Sequence, residues 1–431
     1  MITLFWFRRD LRLTDNSGLF EALKNSDNVL PLFIFDTDIL SKLESHDLRV
    51  PFIHNTVLNL KDELQKKKSD LLIEHGNTAD IFKKLSEKYK IKSIFANHDY
   101  EPSAIRRDKD IDDWAKNKNI EFKTFKDHVI FEKNEILTDQ QKPYTVFTPY
   151  KKKWLASLSK YYLKSYPVDL YEHHFYKLKL SEPVVTLKQM NFKDSNHVYP
   201  ETEVQTQILK NYAEKRDFPA LDQTSKLGLH LRFGTVSPRE LAREGKKFSD
   251  VWLSELIWRD FFTQILWHFP HVVNGSFRPQ YENIKWRKNE SDFDRWKNGQ
   301  TGYPLVDAGM RELNQTGHMH NRVRMVVASF LCKHLLMHWH QGERYFASKL
   351  LDYDLSANNG NWQWAAGTGC DAAPYFRVFN PTTQLEKFDK DLVYTKKWVP
   401  EFGTSQYTKE IVEHTFARDR ALTEYKKGLQ K

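Results

Sequence analysis

The first 130 residues alternate short apolar runs with amphipathic segments, and this alternation limits the possible folds more than any other feature of the chain. Strands are predicted over residues 2–7, 29–35, 71–74, 94–97 and 121–125. Helices are predicted between them over residues 16–23, 48–65, 78–88 and 103–116. Strands that alternate with helices form parallel sheets with right-handed crossovers, and such sheets bind ligands at the carboxyl ends of their strands. We therefore predict an α/β domain with a parallel sheet over residues 1–130.

The pattern changes twice beyond this domain. From 131 to 202 the periodicity weakens and prolines are frequent, which predicts a long linker on the surface. The lysines at 151–153 are interpreted as a solvated face of that linker. From 203 to 431 the pattern is helical, with helices predicted over 250–268, 303–316 and 322–338 and with Asp250 as the N-cap of the first. The predicted fold class is α/β plus all-α.

The composition excludes several classes of protein. The hydrophobic content of 40% and the aromatic content of 14% exclude disorder. No apolar run approaches the ~20 residues of a membrane span, and the opening apolar run precedes its basic residues, unlike a signal peptide. Two cysteines cannot form a disulfide framework, a four-cysteine zinc site or an iron–sulfur cluster. We therefore expect a cytoplasmic protein without a membrane partner.

Charge and tryptophan are unevenly distributed along the chain. The net charge is +9, yet residues 1–150 are close to neutral, and nine of the twelve tryptophans lie between Trp252 and Trp398. A basic excess indicates a polyanionic partner such as a nucleic acid.

The segment 351–381 has the densest mixture of polar and aromatic side chains. Asp352, Asp354 and Asn358 precede Trp362 and Trp364 within fifteen residues. Two interpretations stay open on this segment alone. The Asn-Asn-Gly-Asn run at 358–361 is typical of a tight turn, or the segment lines a pocket for a flat, polar, π-rich ligand.

A second cluster lies in the helix predicted over 250–268. Trp252, Glu255 and Arg259 share one helix face, and Trp258 lies close to it. Glu255 either forms an ion pair with Arg259 or, if buried among indoles, hydrogen-bonds a base edge or donates a proton.

A third cluster joins histidines and arginines at 318–325. His318 with His320, like His338 with His340, lacks the i,i+3 or i,i+4 spacing that metal ligands need on a helix, so no metal site is predicted. Arg322 and Arg324 are expected to bind phosphates or to pair with Asp352 and Asp354.

Long segments of the chain resemble the photolyase/cryptochrome family, most closely the class I cyclobutane pyrimidine dimer (CPD) photolyases. These segments are 6–16 (WFRRDLRLTDN), 216–220 (RDFPA), 224–228 (TSKLG), 235–239 (TVSPR), 255–259 (ELIWR), 297–324 and 357–387. The resemblance implies a Rossmann-like domain, a long linker (131–202) and a helical FAD- and DNA-binding domain (203–431). It also implies a monomeric repair lyase, in which light-driven electron transfer from reduced FAD splits dimers in single- or double-stranded UV-damaged DNA.

The resemblance further implies the residues of the site. FAD is expected to contact Tyr212, Thr224, Ser225, Lys226, Leu227, Gly228, Trp252, Glu255, Arg259, Arg324, Asp352, Asp354 and Asn358. DNA and its lesion are expected to contact Arg216, Glu255, Trp258, Asn321, Arg322, Met325, Trp364 and Gln384. An electron relay to the flavin is expected along Trp362, Trp339 and Trp286. Catalytic roles are expected for Glu255, Met325 and Asn358, the last of these beside flavin N5.

Three alternatives stay open within this resemblance. A (6-4) photolyase needs histidines at the positions of Asn321 and Met325, although His318 and His320 lie close by. A cryptochrome photoreceptor would not repair DNA. A second, antenna chromophore is either absent or a deazaflavin, a folate or a flavin; folate-binding relatives tend to have Asn-Glu where this chain has Ser103-Ala104.

Overall fold

The computed structural model describes residues 1–178 and 184–430, which form two compact units. The first unit consists of Met1–Glu135, Trp154–Glu203 and Lys226–Lys247, and the second of Ile136–Lys153, Val204–Ser225 and Phe248–Lys431. The units thus alternate along the chain, whereas the predicted domains 1–130, 131–202 and 203–431 follow chain order. Those domains stay a prediction, and residues 179–183 and 431 lie outside the described residues.

A five-stranded parallel sheet organises the first unit. Its strands are β1 (Ile2–Phe7), β2 (Val29–Asp36), β3 (Leu72–Gly76), β4 (Ile91–Asn97) and β5 (Glu121–Phe125). Their order in the sheet is β3-β2-β1-β4-β5, with every neighbouring pair parallel. This order is the doubly wound arrangement typical of Rossmann-like domains, so the predicted fold class is confirmed.

The apolar run of β1 explains why it is the central strand. All six of its residues are buried. Phe5 and Phe7 pack into one hydrophobic cluster, while Leu4 and Trp6 pack into another. Successive side chains of a strand point to opposite faces. A strand covered on both faces therefore reads as a continuous apolar run.

Eighteen α-helices lie in the described part of the chain. In chain order they are α1 (Ser17–Asn25), α2 (Thr37–Leu40), α3 (Arg49–Lys66), α4 (Thr78–Lys88), α5 (Pro102–Asn117), α6 (Phe147–Ser157), α7 (Thr206–Lys215), α8 (Gly228–Phe233), α9 (Pro238–Phe248), α10 (Asp250–His268), α11 (Glu290–Lys297), α12 (Pro304–Thr316), α13 (Asn321–Ser329), α14 (Trp339–Lys349), α15 (Leu355–Ala366), α16 (Pro381–Phe388), α17 (Val393–Trp398) and α18 (His414–Leu429). None of the described helices is both long and apolar enough to span a membrane.

Two of the sequence segments that carry the family resemblance meet in a buried ion-pair network of the first unit. Arg12 and Arg239 each donate to a different oxygen of Asp127, at 2.6 and 2.8 Å. Arg239 also bonds Asp15 at 2.9 Å. Burial alone would raise the pKa of Asp127, but the two guanidinium groups hold it well below its ordinary value. The segments 6–16 and 235–239 therefore serve the fold of this unit.

The predicted surface linker is partly wrong. Its residues 147–157 form helix α6, and Tyr150 and Trp154 on that helix are buried. Lys151 donates to the hydroxyl of Ser254 at 2.5 Å, so this lysine is not simply solvated. The helical periodicity is weak in the sequence because the buried positions of α6 are few, namely Phe147, Tyr150 and Trp154.

The helix predicted over 250–268 is confirmed as α10, but its predicted cap is wrong by one residue. Ser249 is the N-cap and its hydroxyl accepts the backbone N–H of Trp252, whereas Asp250 is the first helical residue. Serine and aspartate both accept from free helix N–H groups, so adjacent candidates are hard to separate by sequence.

Two further predictions differ from the structure. The helix predicted over 322–338 ends at Ser329 and continues only as a π-helical turn, Phe330–His334. The turn interpretation of 358–361 is wrong, because these residues lie inside α15. Gly360 is needed there for space, since a Cβ atom at this position would overlap the ring of Phe262.

Candidate functional site

Glu255 lies on α10 of the second unit and forms an ion pair with Arg216, at the end of α7. Burial raises the pKa of Glu255 above its ordinary value, even though Arg216 opposes this shift. The Arg216 guanidinium also lies 5.5 Å from the ring of Tyr212, and burial raises the pKa of that tyrosine. Three predicted site residues are thus brought together around one carboxyl group.

Trp258, one turn further along α10, lies in an aromatic stack. Its ring stacks on Phe147 of α6 with centroids 3.5 Å apart and an interplanar angle of 6°. Phe262 stacks nearby, at 5.4 Å. Trp258 itself is half-buried. The stack fixes the orientation of an indole that keeps part of its surface accessible.

The hydroxyl of Ser225 accepts the indole N–H of Trp252 at 3.3 Å. Trp252 is buried, while Thr224 and Ser225 are half-buried. Lys226, Leu227 and Gly228, which were predicted to belong to the same stretch, fall in the first unit.

Arg324 of α13 and Asp352, which precedes α15, form a two-pronged ion pair. The two terminal nitrogens of Arg324 donate to the two carboxylate oxygens at 3.2 and 2.9 Å. Its Nε donates to the carbonyl of Met319 at 2.7 Å. The predicted pairing of Arg324 with Asp352 is confirmed, and the planar guanidinium is fixed in orientation.

Asp354 and Asn358 are held by helix α15. Asp354 is its N-cap and accepts the backbone N–H groups of Ser356 and Ala357. Asn358, one turn later, donates from its amide nitrogen to the carbonyl and the carboxyl group of Glu343, at 3.1 and 2.9 Å. Glu343 is buried, and burial raises the pKa of this carboxyl group.

Arg322 connects α13 to the segment after α7. It forms an ion pair with Asp217 at 2.8 Å, donates to the sulfur of Met325 at 3.7 Å, and lies 4.4 Å from the ring of Phe388. Arg322 therefore pairs with Asp217 rather than with Asp352 or Asp354, and the alternative of a phosphate partner stays a prediction.

The remaining predicted site residues lie on four helices. Arg259 is half-buried on α10, Trp364 is half-buried on α15, Gln384 is half-buried on α16, and Asn321 is exposed at the start of α13. Trp364 packs against the main hydrophobic cluster of the second unit.

Of the three predicted relay tryptophans, only the outer one is partly exposed. Trp362 is 2% exposed, Trp339 is fully buried and Trp286 is half-buried. His338 lies between the outer two, with ring centroids 5.3 Å from Trp286 and 5.7 Å from Trp339. Trp296 is in edge-to-face contact with Trp362, with ring centroids 6.2 Å apart.

His318 and His320 lie around Glu312 of α12. The Nδ1 atom of His318 is 3.3 Å from one carboxylate oxygen, and the other oxygen accepts the backbone N–H of His320 and the hydroxyl of Tyr394. Burial alone would raise the pKa of Glu312, but these hydrogen bonds lower it. Within the described residues, no group of three or more metal-ligating side chains comes together.

Sequence reasoning missed three residues that contact predicted site residues. Phe147 stacks on Trp258, Glu343 accepts from Asn358, and Asp217 pairs with Arg322. Glu343 and Asp217 could have been suspected as carboxylates close in sequence to predicted residues. Phe147 lies more than a hundred positions from Trp258, and its local pattern indicates only a linker.

The residues of the second unit fit an FAD group. Ser225 and Thr224 supply hydroxyl groups, and Arg259 and Arg324 supply guanidinium groups, which are suitable donors for phosphate and ring oxygens. In the described part of the chain, both side-chain hydrogen bonds of Asn358 use its nitrogen, so its amide oxygen can accept an N–H from a ligand ring.

Two family profiles match this sequence. The profile described as "DNA photolyase" matches residues 3–168, and the profile described as "FAD binding domain of DNA photolyase" matches residues 252–406. A protein of Escherichia coli named deoxyribodipyrimidine photo-lyase is 35% identical to this chain, with 98% of both chains covered.

Solved structures show the same similarity. A bacterial class III photolyase from Agrobacterium tumefaciens superposes with a TM-score of 0.87 at 30% identity, covering 100% of this chain and 98% of its own. An archaeal photolyase from Sulfolobus tokodaii, solved with two FAD molecules, superposes with a TM-score of 0.82 at 35% identity, covering 99% of this chain and 100% of its own.

Proposed function

The chain belongs to the DNA photolyase family, and on this premise we propose that it is a deoxyribodipyrimidine photolyase. It splits cyclobutane pyrimidine dimers in UV-damaged DNA under blue or near-UV light. The observation that carries the proposal is the half-buried pair of Glu255 and Trp258 on one turn of α10, with Arg216 on the carboxyl group. A dimer needs an apolar wall and a polar contact at its edge, and this turn supplies both.

FAD is the cofactor of this domain, and when bound it supplies light-driven one-electron chemistry. Ser225, Arg259 and Arg324 are proposed to hold its polar groups, and Trp252, Asp352 and Asp354 to line its site. Asn358 is proposed to accept a hydrogen bond from the ring through its amide oxygen. Since Glu343 holds the amide nitrogen, that oxygen has a fixed direction.

The lesion pocket is proposed to use three apolar side chains, Trp258, Trp364 and Met325. A pyrimidine dimer distorts the duplex, so extruding it costs less than extruding a normal base pair. Glu255 is proposed to donate a hydrogen bond to the edge of the dimer from its protonated form, which burial favours. Arg216, Asn321, Arg322 and Gln384 are proposed to contact the DNA backbone or the rim of the pocket.

Trp362, Trp339 and Trp286 are proposed to carry electrons from the surface toward the cofactor. The half-exposed position of Trp286 suits the outer end of such a relay, because an external donor can reach it. We further infer that the protein acts as a cytoplasmic monomer. The class I assignment and a second chromophore stay predictions.

The experiment is repair of defined lesions by the FAD-loaded protein under anaerobic blue light. One oligonucleotide carries a single thymine dimer and a second carries a (6-4) photoproduct. Repair of the first alone supports the proposal. Repair of the second alone would identify a (6-4) photolyase, and repair of neither by the reduced holoprotein would support a photoreceptor.

A further inference from the structure

Two imidazole rings flank Trp339, the middle tryptophan of the proposed relay. The ring centroid of His340 lies 3.9 Å from that of Trp339. His338, the other neighbour of Trp339 in the sequence, stacks on it with ring centroids 5.7 Å apart and an interplanar angle of 26°. The ring of His338 also contacts Trp286, with centroids 5.3 Å apart. Any charge on these rings therefore lies beside the indoles that would be oxidised.

The hydrogen bonds of these two rings define their neutral forms. His338 is the N-cap of α14, and its Nδ1 accepts the backbone N–H of His340 at 3.2 Å. Protonation of Nδ1 would replace this acceptor with a donor and break the cap. The Nε2 of His340 lies 2.9 Å from the carbonyl of Val273, which requires a proton on Nε2 and leaves Nδ1 unprotonated in the neutral ring.

The charged groups that act on His338 are few and of both signs. They are Glu282, from the 3₁₀ turn Pro279–Asn283, and Arg344 and His340, from α14. Glu282 favours an imidazolium, whereas Arg344 and a protonated His340 oppose it. Burial lowers the pKa of both His338 and His340 below the ordinary value, so both rings are neutral near pH 7.

The surroundings of the Trp339 indole N–H also favour retention of the positive charge when this indole is oxidised. Its Nε1–H is buried without a hydrogen-bond partner in the described part of the chain. Before an electron reaches it, an oxidised indole loses its charge only by releasing this proton, and among the described residues no hydrogen-bond acceptor takes it. A nearby imidazolium would therefore repel a full positive charge on Trp339 in a poorly solvated region.

We propose that His338 and His340 control electron transfer through Trp339: their neutral rings permit it, and their protonation slows it. In this step one electron moves from Trp339 to oxidised Trp362, which reduces Trp362, oxidises Trp339 and transfers no proton, so an imidazolium beside Trp339 opposes the charge that the step creates. Both histidines act through the indoles and are positioning residues. The inference rests on the relay that is part of the proposed function.

The direction of the pH dependence follows from these positions. Because both rings are neutral above their lowered pKa values, electron transfer is fast near neutral pH and slows as the pH falls below the ordinary histidine value of about 6.5. An imidazolium this close to an oxidised indole is expected to slow the step about tenfold.

The test is flash photolysis of the FAD-loaded full chain from about pH 5 to about pH 8, with oxidised tryptophan followed by its absorbance. The variant His338→Asn keeps an N-cap acceptor without a titrating group, and His340→Gln keeps a donor toward Val273. The wild type is expected to lose about tenfold in rate toward acid pH, while the double variant stays flat. An unchanged pH profile in the double variant would overturn the inference.

Two further measurements separate this inference from its premise. In the full chain without FAD, NMR should show His338 titrating below the ordinary histidine value, with the His340 amide shifting at the same midpoint. Titration at or above the ordinary value would also overturn the inference. If Trp362→Phe leaves tryptophan oxidation unchanged, the relay itself is wrong; if it abolishes oxidation while the double variant keeps the wild-type pH profile, only the role of the histidines is wrong.

Discussion

At the scale of single residues, two influences act in opposite directions on the pKa of Glu255: burial raises it and the ion pair with Arg216 lowers it. Burial dominates, so the pKa of this carboxyl group is raised and its proton is retained at higher pH than in the unfolded chain. The sign follows directly. If the protonated form binds the dimer, affinity is present below the raised pKa and is lost as the pH rises through it.

We therefore expect Glu255→Gln to remove the pH dependence of dimer binding. The amide is neutral at every pH and can still donate to the dimer, whereas wild-type affinity should fall about tenfold, or ~1.4 kcal/mol, as the carboxyl group ionises. The measurement is the Kd for a dimer-containing oligonucleotide across pH. Glu214→Gln, at an exposed position on α7, is the matched control and should keep the wild-type profile. A flat wild-type profile would contradict the role of Glu255.

Single substitutions also distinguish a tryptophan that carries electrons from one that only packs. Trp362→Phe is expected to slow reduction of the cofactor by light several-fold and to leave repair by prereduced protein largely intact, because the relay supplies electrons only before repair. Trp296→Phe is a close control, since Trp296 is also buried and touches Trp362. Equal loss of photoreduction in both variants would mean that the effect comes from packing.

At the scale of elements, α14 and α15 cross closely at Gly342. A Cβ atom there would overlap the ring of Trp362. Gly342→Ala should therefore destabilise the protein by about 1–3 kcal/mol and impair photoreduction, because the indole must move. Gly275→Ala, where the nearest atom is 3.6 Å away, is the control and should change the melting temperature little. Unchanged melting of the Gly342 variant would contradict this packing.

The elements also show what the sequence could predict. The inner strands β1 and β2 were predicted because burial of both faces leaves a continuous apolar run in the sequence. Helix α10 begins where predicted because Ser249, next to the predicted cap Asp250, accepts a backbone N–H at its start. The end of α13 at Ser329 was not predicted, because the π-helical turn that follows begins with Phe330 and Leu331, which continue the apolar pattern of the helix.

The site was less predictable than the fold, for a physical reason. Arg324 and Asp352 could be paired from charge alone. The contacts of Phe147 with Trp258 and of Arg216 with Glu255 join residues far apart in sequence, and no local pattern encodes such distances. The run at 358–361 was ambiguous because a glycine is common both in turns and where helices pack closely. The close approach of the Phe262 ring to Gly360, which no local pattern shows, favours the second.

At the scale of the whole molecule, the net charge of +9 is expected to act on the DNA backbone. Binding of undamaged duplex should weaken steeply with salt, because lysine and arginine release counterions from each phosphate they contact. Between about 50 and about 200 mM salt, six or more such contacts would reduce affinity by at least about 10³. Fluorescence anisotropy at several salt concentrations measures this slope, and a flat response would mean that the basic surface does not bind DNA.

The most direct test of the account is light-dependent reversal of one thymine dimer. The FAD-loaded, reduced protein is mixed anaerobically with an oligonucleotide that carries a single dimer, and the restored thymines are quantified after blue light and after an equal time in the dark. Complete reversal is expected in the light, with more than one turnover per protein, and none is expected in the dark. Absence of reversal in the light, with FAD bound and reduced, would contradict it.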